Sequence, residues 1–145
     1  MTRSKRMQMI VRLAAHAEQD AALMMQASRR ELDEFEAKLA HLQSCRAEYM
    51  NQLLQDGAAS MQAQRMHELR GFIMRLDEVI AQMERQRAQK QKAAEQRQET
   101  WLQNKNRTRV LGDITDRYRN HEIKRDELTQ QFEIDDRPRK GGPRE

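Results

Sequence analysis

The sequence predicts an all-α fold, a long antiparallel two-helix coiled-coil hairpin, from three observations. Residues that lose little freedom in a helix (Ala, Gln, Glu, Arg, Leu, Met) dominate the 145 positions. Both prolines, Pro138 and Pro143, lie beyond residue 137, so nothing earlier forbids helix. Apolar residues recur in heptads on both sides of a single glycine-containing interruption. With 34% charged and only 4% aromatic residues and a mean hydropathy of -1.07, a thick globular core is excluded, and one domain is the ceiling.

The first helix is expected over residues 4–55. Met7, Val11, Ala14, Ala21, Met25, Leu32, Phe35, Leu39, Leu42, Tyr49 and Leu53 follow steps of three and four or their multiples of seven, which is a coiled-coil seam. Glu18, Ser28 and Arg46 interrupt it, and polar residues at seam positions weaken packing while fixing register. The period breaks at 56–60, where Gly57 suits a C-cap and Ser60 an N-cap, predicting a tight turn.

The second helix is expected over 61–134. Its seam runs through Leu69, Ile73, Leu76, Ile80 and Met83, then Ala94, Trp101, Thr108 and Leu111, with Arg87, Lys90, Arg97 and Asn104 between. A tight turn makes the helices antiparallel neighbours, so Leu53 should lie near Met66, Leu42 near Leu76 and Met7 near Leu111. A kink or break is expected near Gly112, with the seam slipping to Ile114, Tyr118, His121, Leu128 and Phe132. Residues 1–135 thus form the hairpin. Residues 136–145, basic and rich in Pro and Gly, should be a disordered tail.

The chemistry-bearing patterns are few. Five glycines form no phosphate-cradling loop, and there is no cysteine pair and no paired-histidine zinc motif. No cofactor, metal or catalytic residue is expected, and the chain reads as non-enzymatic. His41 and Cys45 share a face at i and i+4 but lack a third ligand. The lone Cys45, the absence of a signal-like start and the absence of a long apolar run together predict a cytoplasmic protein.

Two features point to protein partners instead. Phe72 and Val79 widen the apolar stripe beside Ile73 and Ile80, so the second helix either thickens its core there or offers a binding face. Charge is also uneven: residues 85–109 carry eight basic and two acidic side chains, and residues 1–17 add Arg3, Lys5, Arg6 and Arg12 with no acid. In the hairpin these segments should meet as a basic end that docks on an acidic protein surface or on nucleic acid. Few aromatic side chains stand among the arginines, which disfavours nucleic acid.

The succession of a basic start, a first helix reaching Glu48-Tyr49, a turn near Asp56-Gly57, then Phe72-Ile73, Leu76-Asp77-Glu78-Val79-Ile80 and a lone Trp101 resembles the FliJ family of flagellar export proteins. The resemblance covers approximately residues 1–135. It implies a non-enzymatic component of the flagellar type III export apparatus, stalk-like and similar to the central subunit of rotary ATPases. Such proteins bind the ring of the export ATPase FliI, promote its assembly, contact the export gate protein FlhA and help handle export chaperones. They work in the cytoplasm at the inner face of the inner membrane, touching the membrane only through the apparatus. By this resemblance Phe72 and Leu76 match gate-contact positions, and Val79 and Met83 fall on the same face but depart from the family in residue type. The ATPase ring is assigned to the basic end, Arg3, Lys5, Arg6, Arg12, Arg97, Lys105, Arg107 and Arg109. Two alternatives stay open at this point: a basic nucleic-acid-binding coiled coil, and the equivalent stalk protein of a virulence-type secretion system.

Overall fold

In the computed structural model, which describes residues 2–56 and 62–136, the chain forms two helices, α1 (Arg3–Asp56) and α2 (Ala63–Asp136), packed against each other. No strand occurs among the described residues. The helix ends fall within one or two residues of those expected, which is the ordinary scatter of fraying termini. Residues 57–60 of the expected turn, and residues 137–145 of the expected tail, lie outside the described residues. Asp136, placed in that tail by the sequence, is the last residue of α2. Each helix opens with a backbone bond from just outside it: the Thr2 carbonyl accepts from the Arg6 N–H at 3.2 Å and the Gln62 carbonyl from Met66 at 3.1 Å.

The chain divides into two packing units. In the unit Asp20–Trp101, the core is the heptad seam: Ala21, Leu39, Ile73 and Ile80 are buried, while Met25, Leu32, Phe35, Leu42, Leu69 and Leu76 are half-buried. Arg46 occupies a seam position, and its guanidinium forks onto Asp77, Nε to Oδ1 and Nη2 to Oδ2 at 3.4 Å. Where the α2 seam turns polar, charge takes over from apolar packing. Arg87 donates to Glu36 at 3.2 Å and Lys90 to Glu31 at 2.6 Å, with the Lys90 ammonium also 5.3 Å from the centre of the Phe35 ring. The Lys90 bond and charge hold the exposed Glu31 carboxyl below its ordinary pKa.

These pairs set a register about one helical turn away from the expected one. Leu42 was expected opposite Leu76, but its neighbour Gln43 donates to Glu84 at 3.3 Å, and Tyr49 packs on Phe72. The physical reason is visible at Arg46. In the expected register it would face Phe72 and Ile73, whereas one turn further along it meets the Asp77 carboxylate.

In the unit formed by Met1–Gln19 and Leu102–Glu145, Ala14, Ser4 and Thr115 are buried. One expectation fails here and another is met in part. The break near Gly112 does not occur, because α2 is helical through Gly112 and Asp113 to Asp136. The slipped seam is met only at its start: Ile114 and Tyr118 are half-buried as expected, but the buried position is Thr115. The heptad steps run on through Asn104, Thr108, Leu111, Thr115, Tyr118 and Glu122, and His121, Leu128 and Phe132 are exposed. Following apolar residues misled the expectation. The register is kept by polar side chains, and the Thr115 hydroxyl satisfies itself on the Leu111 carbonyl at 2.7 Å. One glycine costs a helix about 1 kcal/mol, less than the seam on both sides of it supplies.

A Cβ built on Gly112 meets nothing within 4 Å, and its backbone is helical. Gly112→Ala is therefore expected to stabilise the chain by about 0.5–1 kcal/mol in thermal or urea unfolding. A fall in stability would mean that α2 bends at this residue in solution.

Candidate functional site

Two sets of residues were singled out from the sequence as docking surfaces, and their positions in the structure are as follows. The first is the line Phe72, Leu76, Val79 and Met83, which recurs at steps of four, three and four and so runs along one flank of α2. Leu76 and Met83 are half-buried seam residues, while Phe72 and Val79 are 38% and 45% exposed. Phe72 does both jobs. Its ring meets Tyr49 of α1 edge-on, centroids 5.0 Å apart at 83°, and its other side faces out. The stripe is thus partly core and partly surface, and Val79 is its outward member with Phe72. Tyr49, which the sequence marked only as a seam residue, is the side chain that orients Phe72. Gly71 lies beside it with no atom within 4 Å of a built Cβ.

The second surface is the basic start of α1. Its position differs from the expectation that residues 1–17 lie beside 85–109. Arg3 and Ser4 meet Tyr118 and Glu122, while Arg87, Lys90 and Arg97 belong to the other unit and reach Glu36, Glu31 and the Met24 sulfur, the last at 3.5 Å. Arg3, Lys5, Arg6, Arg12, Lys105, Arg107 and Arg109 share one unit and are all exposed; Arg97 does not belong to it. The α2 segment alongside is not uniformly basic. From residue 113 to 136 it carries Asp113, Asp116, Glu122, Asp126, Glu127, Glu133, Asp135 and Asp136 against Arg117, Arg119, Lys124 and Arg125. Arg12 borders an open groove at Gly112 in which Asp116 and Arg119 also stand.

Glu122 performs a task that no linear motif announces. Its carboxylate accepts the Ser4 hydroxyl proton at 2.6 Å and the Ser4 N–H at 3.1 Å, so a residue of α2 caps the N-terminus of α1. Thr2 completes the cap, its hydroxyl oxygen accepting from the Lys5 N–H at 3.4 Å. The Ser4 hydroxyl first, then the Ser4 N–H, hold the Glu122 carboxyl below its ordinary pKa against a smaller desolvation effect. Arg3 lays its guanidinium 5.9 Å from the Tyr118 ring centre, beside this cap.

Cys45 Sγ lies 3.7 Å from His41 Nε2 on an exposed face, and no group of three His, Cys, Asp or Glu side chains converges among the described residues. Trp101 is half-buried at its seam position. No helix among the described residues is long and apolar enough to cross a membrane.

A lowered native pKa means that Glu122 contributes stability above the ordinary glutamate range and loses it as pH falls through the lowered value. Carboxyl NMR should place the Glu122 midpoint below that of an unstructured glutamate, and Ser4→Ala should return it upward. A midpoint indifferent to Ser4→Ala would mean that the cap is not made in solution.

Comparison with protein families adds one finding: the family model described as Flagellar FliJ protein matches residues 3–138 of the chain. No curated protein and no solved structure matches.

Proposed function

Since the chain belongs to the flagellar FliJ family, and so is a component of the flagellar protein-export apparatus, we propose that it is a non-enzymatic coupling factor between the export ATPase and the export gate. The family match over nearly the whole chain carries this reading, and the two exposed surfaces give it a physical form. The basic start of α1, with Lys105, Arg107 and Arg109 in the same unit, suits docking on an acidic protein surface such as the lumen of an ATPase ring. The Phe72–Val79 flank suits a gate protein, because aromatic and aliphatic side chains at the edge of a seam are the kind of anchor a partner pocket buries. Export chaperones are further partners under this proposal. The site of action is the cytoplasmic face of the inner membrane, reached through the apparatus.

The excess of acid over residues 113–136 weighs against the nucleic-acid alternative, since a phosphate backbone would be repelled along that stretch. The family match favours the flagellar over the virulence-type reading.

ATP turnover by the cognate export ATPase, at concentrations where its ring is only partly assembled, should rise several-fold when this chain is added. Replacing Lys5, Arg6 and Arg12 by Ala should remove most of that rise, because these exposed cations have no part in the Ser4–Glu122 cap. Unchanged turnover with the intact chain would sink the ATPase-coupling proposal.

For the gate, Val79→Asp should weaken binding to the purified gate domain by about tenfold or more, with helix content unchanged by circular dichroism. Phe72→Ala is a less clean probe, since it also forfeits the Tyr49 contact, worth about 0.5–1.5 kcal/mol. Equal gate affinity in Val79→Asp would remove this flank from the interface.

A further inference from the structure

Within the unit of Met1–Gln19 and Leu102–Glu145, two helical faces remain without a partner helix. The first is the far side of the start of α1. Met9 and Leu13, one turn apart, are 56% and 70% exposed. Lys5, Arg6 and Arg12 flank them, and no acid occurs from residue 3 to residue 16. The second is the end of α2. Because Ser4 at the head of α1 meets Glu122, residues 123–136 have no α1 beside them, and every one of them is exposed. That extension also carries an apolar pair one turn apart, Leu128 and Phe132, the latter 67% exposed. Its charge is opposite in sign. Asp126, Glu127, Glu133, Asp135 and Asp136 follow one another with no basic side chain between residues 126 and 136.

We propose that the α2 extension of one copy docks on the Met9–Leu13 face of a second copy, giving a homodimer. Three features select this occupant. Both faces hold an apolar pair at the same i, i+4 spacing, so ridges of equal pitch meet. A helix start with four cations and no acid lies against a segment with five consecutive acidic charges, so the pairing is electrostatically directed. The extension and the stretch from Arg3 to His16 are also equally long, each about 20 Å at 1.5 Å per residue. A two-fold axis near the Ser4–Glu122 cap lets each copy give its extension and receive the other's. Both faces are then consumed, and the assembly closes at two.

The structure also explains why a chain does not fold its own extension back. Residues 123–136 continue α2 as unbroken helix past the head of α1, and the cap fixes where α1 begins. A second copy supplies the missing surface without bending either helix.

Sedimentation equilibrium of the full chain, under reducing conditions so that Cys45 cannot link copies, tests this. A concentration-dependent dimer is expected, weakened as salt rises from low to about 0.5 M. Met9→Ser with Leu13→Ser in one chain, and Leu128→Ser with Phe132→Ser in another, should each weaken dimerisation about tenfold or more while leaving helix content intact. Mixing these two variants should recover part of the association, because one of the two contacts is then made between intact faces. A chain that stays monomeric at every concentration, or a dimer indifferent to either pair of substitutions, would overturn the proposal. A monomer whose Met9–Leu13 face captures an acidic helix of a different protein would overturn it as well. The dimer would cover the cations assigned above to the ATPase ring, so the two associations compete for this end. Sedimentation reads the chain alone, and a monomer there overturns the dimer while leaving the ATPase and gate proposals standing.

Discussion

Two strongly polar helices of 54 and 74 residues have one line of protected positions along which to meet, and everything else in the molecule depends on that seam. Both helices are built from residues that favour helix, and pairing along the seam adds the tertiary packing that fixes them against each other. The seam is thin. Among the described residues only Ala14, Ala21, Leu39, Ile73 and Ile80 make up its buried apolar part, and no large side chain is fully buried. Polar residues therefore share the work that a thicker core would do by packing. Arg46, Arg87 and Lys90 reach acids on the opposite helix, and Glu122 closes the head of α1.

Period and composition are enough to read the helices and their pairing from the sequence. Every seam position assigned in α1 from Met7 to Leu53 is buried or half-buried, including the polar Glu18, Ser28 and Arg46. What stayed illegible was everything decided between helices rather than within one. Register depended on Arg46 choosing Asp77 over an apolar neighbour, a choice that one helix's pattern does not contain. The seam beyond Leu111 was misread because its members Thr115 and Glu122 are polar, and hydropathy cannot distinguish a polar residue that is satisfied inside from one that is solvated outside. Gly112 misled for a related reason. A helix breaker is judged by local propensity, but here the partner helix holds the backbone through it.

The candidate surfaces were legible to a different degree. The four positions from Phe72 to Met83 share a flank, and the heptad pattern already separates Leu76 and Met83, in the seam, from Phe72 and Val79 beside it. The structure adds that Phe72 and Val79 are exposed, with Phe72 also touching Tyr49. The basic residues at the start of α1 are exposed as expected. Their surroundings were not foreseen, because charge counted along the chain ignores what the neighbouring helix contributes. Asp113, Asp116 and Glu122 temper the field that Arg3, Lys5, Arg6 and Arg12 create, so recognition at this end relies on where the charges stand rather than on their sum.

The seam's repetitiveness has an energetic side. A heptad pattern looks nearly the same to itself after a displacement of seven residues, so sliding one helix past the other by that amount would return apolar side chains to apolar neighbours. The side chains that resist such sliding in the unit Asp20–Trp101 are the ones that find a partner at one displacement only: the Arg46 fork on Asp77, Arg87 on Glu36, Lys90 on Glu31 and the Tyr49–Phe72 edge contact. Stability and alignment are thus held by different residues. The aliphatic positions hold the helices together, and the cross-helix pairs, each exposed and individually weak, match at one alignment only, so that alignment rests on their agreement rather than on any one of them.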